Sequence, residues 1–318
     1  MEKYYITTPI YYVNDKPHIG HAYTTILADT ISRFRALIGE KPTFLTGLDE
    51  HGLKVQQAAE KNGKAPQDHC DSMAPAFIDL WKKLNINYSD FIRTTEHRHT
   101  KIVQQILTKV HESGDIYMDE YEGWYSISEE RFITEKELDS GQFGEVKQIK
   151  EKNYFFRMSK YQATLIDKIE KDELLIQPKS RKNEVLGFLK NELSDLCISR
   201  PKSRLEWGIE LPFDDNYVTY VWFDALINYI SAIGAYSNDE HFSSLWPADV
   251  HLIGKDILTT HSVYWPTMLL SLGLPLPQRI FAHGWWLTDD QKMSKSLGNV
   301  VSPLMLVDDF GVDSVRYY

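Results

Sequence analysis

The fold is decided by residues 4–37, YYITTPIYYVNDKPHIGHAYTTILADTISRFRAL. This segment opens with aromatic and β-branched residues at Tyr4–Thr8, a composition typical of a strand. After a loop, apolar residues recur at helical spacing through Ala22–Leu37, and Gly39 follows as a signal for the end of the helix. A strand, a loop and a helix in this order predict the start of a parallel sheet with crossover helices.

The same alternation continues along the chain and is interrupted once. Further strands are predicted at Thr43–Thr46, Val250–Ile253 and Arg279–Ala282, and helices at Leu53–Lys61, Asp68–Leu84, Ile102–His111 and His261–Leu272. From about Tyr117 the sequence becomes aromatic, β-rich and rich in turns, with amphipathic helices at about Lys160–Lys171 and Asn183–Leu193. We therefore predict an α/β fold, a parallel-sheet domain split by an inserted α+β domain.

Domain boundaries follow from these changes of pattern. Residues 1–115 are predicted to form the first half of the sheet domain, 116–215 the insertion, 216–290 the second half, and 291–318 a following segment. The last residues, Val312–Arg316, are typical of a helix start and carry no stop signal, so we expect the natural protein to continue beyond Tyr318.

Composition and charge exclude several classes of protein. The chain has 318 residues, of which 42% are hydrophobic and 25% charged, as in an ordinary globular protein. No apolar run reaches the roughly 18–20 residues that a membrane span needs, and Met1–Tyr5 leads straight into strand-like sequence, so no secretory leader is expected. Two cysteines, Cys70 and Cys197, are too few for a disulfide framework or a four-cysteine zinc site, and they favour a reducing cytoplasm.

The net charge of −10 argues against a nonspecific nucleic-acid coat, because such proteins are usually basic. Two short basic clusters, Lys179–Lys182 and Arg200–Arg204, leave two interpretations open. They form either a local face for a nucleic acid or an ordinary solvated surface.

One short motif, His18-Ile19-Gly20-His21, lies where the first strand and loop lead into the first helix. A helix N-terminus offers free N–H groups and a positive dipole end, both of which favour phosphate. Two imidazoles three residues apart share a helix face and can donate to phosphate oxygens, while Gly20 lets a ligand approach the backbone. A helix start with two incidental histidines is the alternative.

A second motif, Lys292-Met293-Ser294-Lys295-Ser296, lies near the other end of the chain. Its two ammonium groups suit a triphosphate or a departing pyrophosphate, and its small serines suit a loop that closes on substrate. A solvated basic loop is the alternative.

Together and in this order, the two motifs resemble the HIGH and KMSKS signatures of class I aminoacyl-tRNA synthetases, with which they agree letter for letter. Further segments resemble the methionyl-tRNA synthetases of that class, so that the resemblance covers essentially the whole chain: Thr8–Asn14, Gly47–Gly52, Tyr220–Leu226 and Gly254–His261. The stretch between the motifs is too short for the large editing insertion of the isoleucyl, valyl and leucyl enzymes. Two cysteines are too few for the active-site zinc of the cysteinyl enzyme.

The resemblance implies that the split parallel-sheet domain is a Rossmann-like nucleotide-binding domain. It also implies a function and its partners. L-Methionine is activated by ATP, as the Mg²⁺ complex, to methionyl-adenylate with release of pyrophosphate, and is then transferred to the terminal adenosine of tRNA(Met). A cytoplasmic monomer with neither DNA nor a membrane as partner is implied. Within 291–318 the resemblance places the KMSKS loop and the start of the stem-contact region, and the family's anticodon-binding helical domain is expected to lie outside these 318 residues. Adenylate formation is therefore expected, with poor charging of tRNA.

Three sets of site residues are implied by matching positions. The implied catalytic residues are His18, His21, Lys292 and Lys295. The implied ATP-binding residues are His18, Gly20, His21, Gly254, Lys255, Asp256, Lys292 and Lys295. The implied methionine-binding residues are Ile10, Tyr12, Asp49, Trp222, Ala225, Leu226, Tyr229, Ile257, His261 and Trp265.

Some of these positions allow a structural explanation as well. Asp49 would bind the substrate ammonium, but it could equally be a helix N-cap. Leu226 and Ile257 suit core packing as well as ligand contact. His261 is interpreted as a pocket wall that hydrogen-bonds near the thioether, without acid–base work.

The inserted, connective-peptide domain departs from the family pattern. Family members often hold a zinc knuckle there through cysteines, whereas residues 124–129 contain none. We therefore predict no metal site, and apolar packing of Trp124, Phe132 and Phe143 in its place. Two rival functions remain, a nucleotidyltransferase that joins another carboxylic acid to AMP without tRNA, and a non-catalytic tRNA-binding scaffold.

Overall fold

The computed structural model describes residues 2–126, 131–133, 138–139, 145–285, 287–288, 291–292 and 301–318. In chain order the strands are β1 (Lys3–Tyr12), β2 (Lys41–Asp49), β3 (Asp90–Arg93), β4 (Ile116–Ser126), β5 (Arg131–Ile133), β6 (Val146–Phe156), β7 (Leu175–Gln177), β8 (Leu196–Cys197), β9 (Ser199–Pro201), β10 (Glu210–Leu211), β11 (Asp214–Thr219), β12 (Val250–Gly254), β13 (Arg279–His283), β14 (Leu287–Thr288) and β15 (Gln291–Lys292). The α-helices are α1 (Ile19–Leu37), α2 (Leu53–Lys61), α3 (Pro66–Lys83), α4 (His97–Glu112), α5 (Gln162–Glu170), α6 (Lys179–Phe188), α7 (Val221–Leu226), α8 (Asn228–Ser231), α9 (Asp239–Leu245), α10 (Trp265–Leu272), α11 (Pro303–Phe310) and α12 (Val312–Tyr317).

A six-stranded parallel sheet forms the centre of the molecule, with strand order β3-β2-β1-β12-β13-β7. The chain builds outward from β1 to β3, then returns to add β12 on the other side of β1. The strand order therefore reverses between β1 and β12, and the carboxyl ends of these two strands border the crevice where doubly wound folds bind ligands. The predicted α/β fold with a Rossmann-like parallel sheet is confirmed.

Two apolar cores cover the two faces of this sheet, as a parallel sheet requires. Tyr5 on β1 belongs to one core, and its neighbours Tyr4 and Ile6 belong to the other. Gly47 on β2 lets β3 approach closely, because a Cβ at this position would lie 2.1 Å from the carbonyl oxygen of Ile92. None of the helices in the described part of the chain is long and apolar enough to cross a membrane.

Two antiparallel sheets, ordered β5-β4-β6-β8 and β10-β11-β9, lie in the region of the predicted insertion, and β11 extends past its predicted end at 215 to Thr219. One strand of this region behaves differently, since β7 pairs in parallel with β13 at the edge of the main sheet. The main sheet thus draws a strand from within the range predicted for the insertion. The boundaries at 116 and 215 stay a prediction.

Two predicted helices differ from those observed. The helix expected at Asn183–Leu193 is α6, which begins at Lys179 because Pro178 fixes the N-cap with an extended backbone. The helix expected at His261–Leu272 is divided into a π-helical turn at Thr260–Tyr264 and then α10. Such π-helical turns occur often at functional sites.

Candidate active site

The predicted site residues lie at the carboxyl ends of the central parallel strands. The loop after β1 leads to His18 and His21 at the start of α1, and β2 ends at Asp49. Strand β12 ends at Gly254, next to Lys255 and Asp256. The fold therefore brings together at one edge residues that lie far apart in the sequence.

The two histidines of the first motif cap the helix that they open. His18 is the N-cap of α1, and its Nδ1 accepts from the Gly20 N–H at 3.1 Å. The His18 N–H in turn donates to Nδ1 of His21 at 3.1 Å, and the two rings stack with centroids 3.8 Å apart. Since both Nδ1 atoms accept, each neutral ring carries its hydrogen on Nε2. Both Nε2 atoms are therefore donors, which is the arrangement that phosphate oxygens need.

The ring of His18 lies close to Gly20. A Cβ at this position would lie 3.0 Å from Cε1 and 3.1 Å from Nδ1 of His18. A larger residue would push the ring of His18 aside by a few tenths of an ångström. This is a local steric reason for the glycine, beyond the close approach of a ligand that the sequence predicted.

The second motif lies only in part within the described residues. The backbone of Lys292 is in β15, whereas its side chain and all of Lys295 lie outside the described residues. The chain that follows is held against α1, since the Ile19 N–H donates to the Val301 carbonyl at 3.3 Å. Arg316 on α12 also contacts the buried Asp29 of α1 at 2.6 Å. The segment that follows the second motif is thus joined to the helix of the first.

The ends of β12 and β13 form the part of the edge predicted to bind the nucleotide. Asp256 is exposed and lies so close to Gly254 that a Cβ there would be 2.6 Å from its Oδ1. Lys255 lies over the ring of Trp285, with Nζ 3.6 Å from the centroid. An exposed carboxylate beside a glycine suits a ribose hydroxyl.

His283 is a site residue that the sequence did not single out. Its Nδ1 donates to the Gly284 carbonyl at 2.8 Å, so Nε2 accepts from the Thr24 hydroxyl at 2.7 Å. Burial lowers the pKa of this histidine. It joins the end of β13 to α1, and its place at a strand end next to β12 is a signal that could have identified it.

Seven of the residues predicted to bind methionine belong to one apolar core or pack against it. Leu226, Tyr229 and Trp265 are buried members of it, and Ile10, Tyr12, Trp222 and Ile257 are partly buried against it. Ala225 is also buried. The Tyr12 and Trp222 rings meet edge to face at 6.3 Å, and the Tyr229 and Trp265 rings lie 5.9 Å apart. Aromatic walls of this kind suit a thioether.

His261 orients the Tyr229 hydroxyl. Nδ1 of His261 donates to the Ile257 carbonyl at 2.9 Å, so Nε2 accepts from the Tyr229 hydroxyl at 2.7 Å. Burial lowers the pKa of His261 to about 4 and raises that of Tyr229, to which the charge of Asp49 also contributes. The imidazole is therefore neutral at pH 7, as expected for a residue without acid–base work.

A second buried histidine, which sequence reasoning missed, orients Trp265. The indole N–H of Trp265 donates to Nε2 of His251 at 3.1 Å, so Nδ1 of His251 donates to the Thr7 hydroxyl at 2.7 Å. Burial holds the pKa of His251 well below its ordinary value. Only the parallel register of β1 and β12, which places Thr7 opposite His251, reveals this pairing.

Acid is expected to destabilise the protein through His261. The unfolded chain protonates this ring below its ordinary pKa of 6.5, whereas the folded chain protonates it only near 4. The contribution of His261 to the free energy of unfolding is therefore complete above pH 6.5 and falls as the pH drops toward about 4. Between pH 7 and pH 5 urea denaturation should record a loss of about 2 kcal/mol from this group. In His261→Gln the free energy of unfolding should depend less steeply on pH, by the equivalent of about one proton. An unchanged dependence on pH would contradict the assignment of this effect to His261.

Asp49 is a buried carboxylate, 2% exposed, at the last position of β2. It lies opposite Tyr12 in the register of β1 and β2. The alternative that Asp49 is a helix N-cap is wrong, because α2 begins after Gly52, whose φ of +98° suits glycine. Its neighbour Glu50 is also buried but accepts from Arg93 Nε at 2.7 Å and from the Thr95 hydroxyl.

The two basic clusters mostly contact acidic residues of the same chain. Arg181 pairs with Glu184 and Lys182 with Asp172, each at 2.6 Å. Lys202 pairs with Glu210 at 2.5 Å. Arg200 is buried, with its guanidinium 4.6 Å from the Tyr220 ring centroid, so it belongs neither to a solvated surface nor to an open basic face.

Little of the predicted packing in the insertion falls within the described residues. Trp124 on β4 is half-buried, whereas the Phe132 side chain and all of Phe143 lie outside them. No cluster of three or more metal-ligating side chains occurs among the described residues. The expected absence of zinc stays a prediction.

A parallel sheet whose strand order reverses at the site, with a histidine-capped helix at its carboxyl edge, is the arrangement of a class I tRNA synthetase. The chain belongs to this class: the sequence profile of the family described as "tRNA synthetases class I (M)" matches residues 4–142 and 139–318. The predicted family resemblance is confirmed.

Relatives within the family carry the methionine name. The methionine–tRNA ligase of Clostridium tetani is 53% identical over 321 residues, covering 99% of this chain and 50% of the relative. That of Bacillus subtilis is 48% identical over 332 residues, covering 99% and 50%. The chain thus spans about half the length of the curated relatives it matches.

Solved structures give the same picture. Mycobacterium tuberculosis methionyl-tRNA synthetase in complex with methionyl-adenylate matches with a TM-score of 0.95 at 43% identity, covering 100% of this chain and 64% of that one. The apo form of the mycobacterial enzyme matches with a TM-score of 0.80 at 39% identity, covering 100% and 61%.

Proposed function

We propose that this chain activates L-methionine with ATP, forming methionyl-adenylate and pyrophosphate, and serves in the charging of tRNA(Met). One observation carries the proposal. The loop after β1 presents the two Nε2–H donors, and the adjoining strand β2 ends in the buried Asp49. An amino acid whose ammonium binds Asp49 directs its carboxylate toward a phosphate held at the start of α1.

The first step needs positioning and charge stabilisation rather than a covalent enzyme intermediate. A methionine carboxylate oxygen attacks the α-phosphorus of ATP, supplied as its Mg²⁺ complex. The new O–P bond forms while the bond from that phosphorus to the bridging oxygen breaks, and pyrophosphate leaves with the electron pair. His18 and His21 donate from Nε2 to the phosphate oxygens, and Lys292 and Lys295 neutralise the departing pyrophosphate. Asp256 accepts from a ribose hydroxyl.

In the second step a hydroxyl of the terminal ribose of tRNA attacks the activated carbonyl carbon. A C–O bond forms, the bond to the AMP oxygen breaks, and the hydroxyl proton is lost to solvent. Support for this step comes from the family to which the chain belongs and from the ligase names of its relatives.

Methionine-dependent exchange of pyrophosphate into ATP tests the proposal directly. We expect exchange that requires methionine and is absent with the other amino acids at the same concentration. Exchange only with a different carboxylic acid would favour a nucleotidyltransferase, and no exchange with any acid would favour a non-catalytic scaffold.

Lys295→Ala is expected to slow pyrophosphate exchange on the order of 10²-fold, the effect of removing one donor to a developing charge. The unfolding midpoint in urea should be unchanged, because the proposed role of Lys295 is to bind the pyrophosphate. Lys179→Ala, which removes an exposed lysine that belongs to neither motif, is the control. Near-normal exchange in Lys295→Ala would show that Lys295 does not stabilise the departing pyrophosphate.

We also propose that the protein lacks structural zinc and works as a cytoplasmic monomer. Both cysteines are buried, Cys70 on α3 and Cys197 on β8, and two cysteines cannot supply a four-cysteine zinc site. Metal analysis of the purified protein should find less than about 0.1 zinc per chain, and light scattering should give the mass of one chain. Stoichiometric zinc retained through dialysis would contradict the prediction, since structural sites bind the metal tightly.

A further inference from the structure

Three buried side chains outside the reacting groups form a connected cluster, the histidine–aspartate bridge, which consists of His51, His99 and Asp224. Nδ1 of His51 lies 2.6 Å from Oδ2 of Asp224, and Nε2 of His99 lies 2.6 Å from Oδ1. The other ring nitrogen of His99 is 2.7 Å from the Ser231 hydroxyl. All of these side chains are buried, and the proposed reaction uses none of them.

The contacts fix where the hydrogens lie. An ionised carboxylate only accepts, so each histidine donates to Asp224 through an N–H. Burial alone would raise the pKa of Asp224, but the hydrogen bonds and charges of the two histidines outweigh it and hold the pKa below its usual range. The two 2.6 Å contacts are hydrogen-bond distances, shorter than the roughly 3.3 Å that separates two ligands of a tetrahedral zinc ion.

The bridge joins the segment that carries Asp49 to the helix that carries two of the predicted pocket walls. His51 follows Asp49 by two residues, directly after the end of β2. Asp224 lies on α7 between Trp222 and Ala225, two of the predicted pocket walls. The two segments are 173 positions apart in the sequence. His99 on α4 adds a third element, so the carboxylate is held from two directions.

We propose that Asp224 is a positioning residue for the amino acid site: through His51 and His99 it fixes the spacing between Asp49 and the pocket walls on α7, and so sets the side-chain length that the site accepts. The inference rests on the proposed activation of methionine. A substrate whose ammonium is held at Asp49 reaches α7 only with a side chain of matching length, so a shift of either segment changes selectivity as well as affinity.

A direct binding titration tests the inference without requiring catalysis. Intrinsic tryptophan fluorescence is titrated with methionine, with its one-methylene-longer homologue ethionine, and with ATP. In Asp224→Asn we expect the Kd for methionine to rise on the order of tenfold, the preference for methionine over ethionine to fall severalfold, and the Kd for ATP to stay unchanged. In this variant the N–H of one histidine faces the amide NH₂ of the asparagine, which is a donor, in place of a carboxylate oxygen of Asp224.

Asp115→Asn is the matched control, because Asp115 is also buried and accepts from Lys160, Ser271 and Tyr161 on other elements. Asp115→Asn should lower the melting temperature without changing the Kd for methionine or the Kd for ATP. A second pair separates position from stability. His99→Gln keeps a donor near the place of Nε2 and should bind methionine nearly as the wild type does, whereas His99→Leu should match Asp224→Asn.

The outcomes separate the two proposals. If the wild type exchanges pyrophosphate but Asp224→Asn and His99→Leu keep the wild-type Kd and selectivity, the positioning role is overturned and the proposed function stands. If the wild type binds methionine without exchange, the proposed function fails and the positioning role is judged on the titrations alone. A wild type that binds no methionine overturns both.

Discussion

Asp49→Asn is expected to raise the KM for methionine on the order of 10³-fold in pyrophosphate exchange while leaving the KM for ATP unchanged. The substitution keeps the size and burial of a side chain that is 2% exposed and removes only its charge. Truncating one partner of a buried charge pair costs about 2–5 kcal/mol, and about 4 kcal/mol corresponds to this change in affinity. Initial rates at varied methionine and saturating ATP measure it.

Two controls make this result specific. Glu50→Gln alters the adjacent buried carboxylate, which is bonded to Arg93 and Thr95, so it should lower the free energy of unfolding and leave the KM for methionine unchanged. The desamino analogue 4-(methylthio)butanoate lacks the ammonium and should inhibit the wild type and Asp49→Asn equally. The contrary result is that the analogue inhibits the wild type and Asp49→Asn to different extents. If that difference exceeded the difference between the two proteins in the KM for methionine, it would show that Asp49 does not bind the ammonium.

Local pattern was enough to predict the central strands and the helices around them. The predicted helix Leu53–Lys61 agrees with α2 at both ends, and β1 extends the predicted Tyr4–Thr8 to Lys3–Tyr12. Such segments carry their own propensity and apolar spacing. The short β7 carries neither, because three residues acquire strand structure only through pairing with β13. Its place in the main sheet therefore could not be predicted.

The candidate site divides in the same way. His18 and Asp256 follow strands and Asp49 ends one, and a strand end in a parallel sheet is a position that sequence can identify. The pairing of His251 with Thr7 and of Asp224 with His51 depends on contacts across more than 170 positions. Each partner alone is an ordinary buried polar residue, so the hydrogen bonds become visible only once the chain is folded.

His18→Asn is expected to slow pyrophosphate exchange on the order of 10²-fold or more without loss of stability. The two functions of this ring lie on different nitrogens, since Nδ1 caps α1 through the Gly20 N–H and Nε2 is the donor proposed for phosphate. The asparagine Oδ1 takes the place of Nδ1 and is a favoured N-cap acceptor, so the cap remains while the Nε2 donor is lost. Removing one such donor to a developing charge has this magnitude. Exchange rates and urea denaturation of the same sample measure both effects.

His18→Gln tests the two nitrogens of the ring in the opposite way. In His18→Gln the amide nitrogen lies near the place of Nε2 while the cap acceptor is lost, so exchange should exceed that of His18→Asn and stability should fall by about 1 kcal/mol. His18→Ala should lose both. Because a histidine that only capped the helix would make the asparagine variant fully active, the opposite order of activities would show that the first motif serves the helix and does not bind the phosphate.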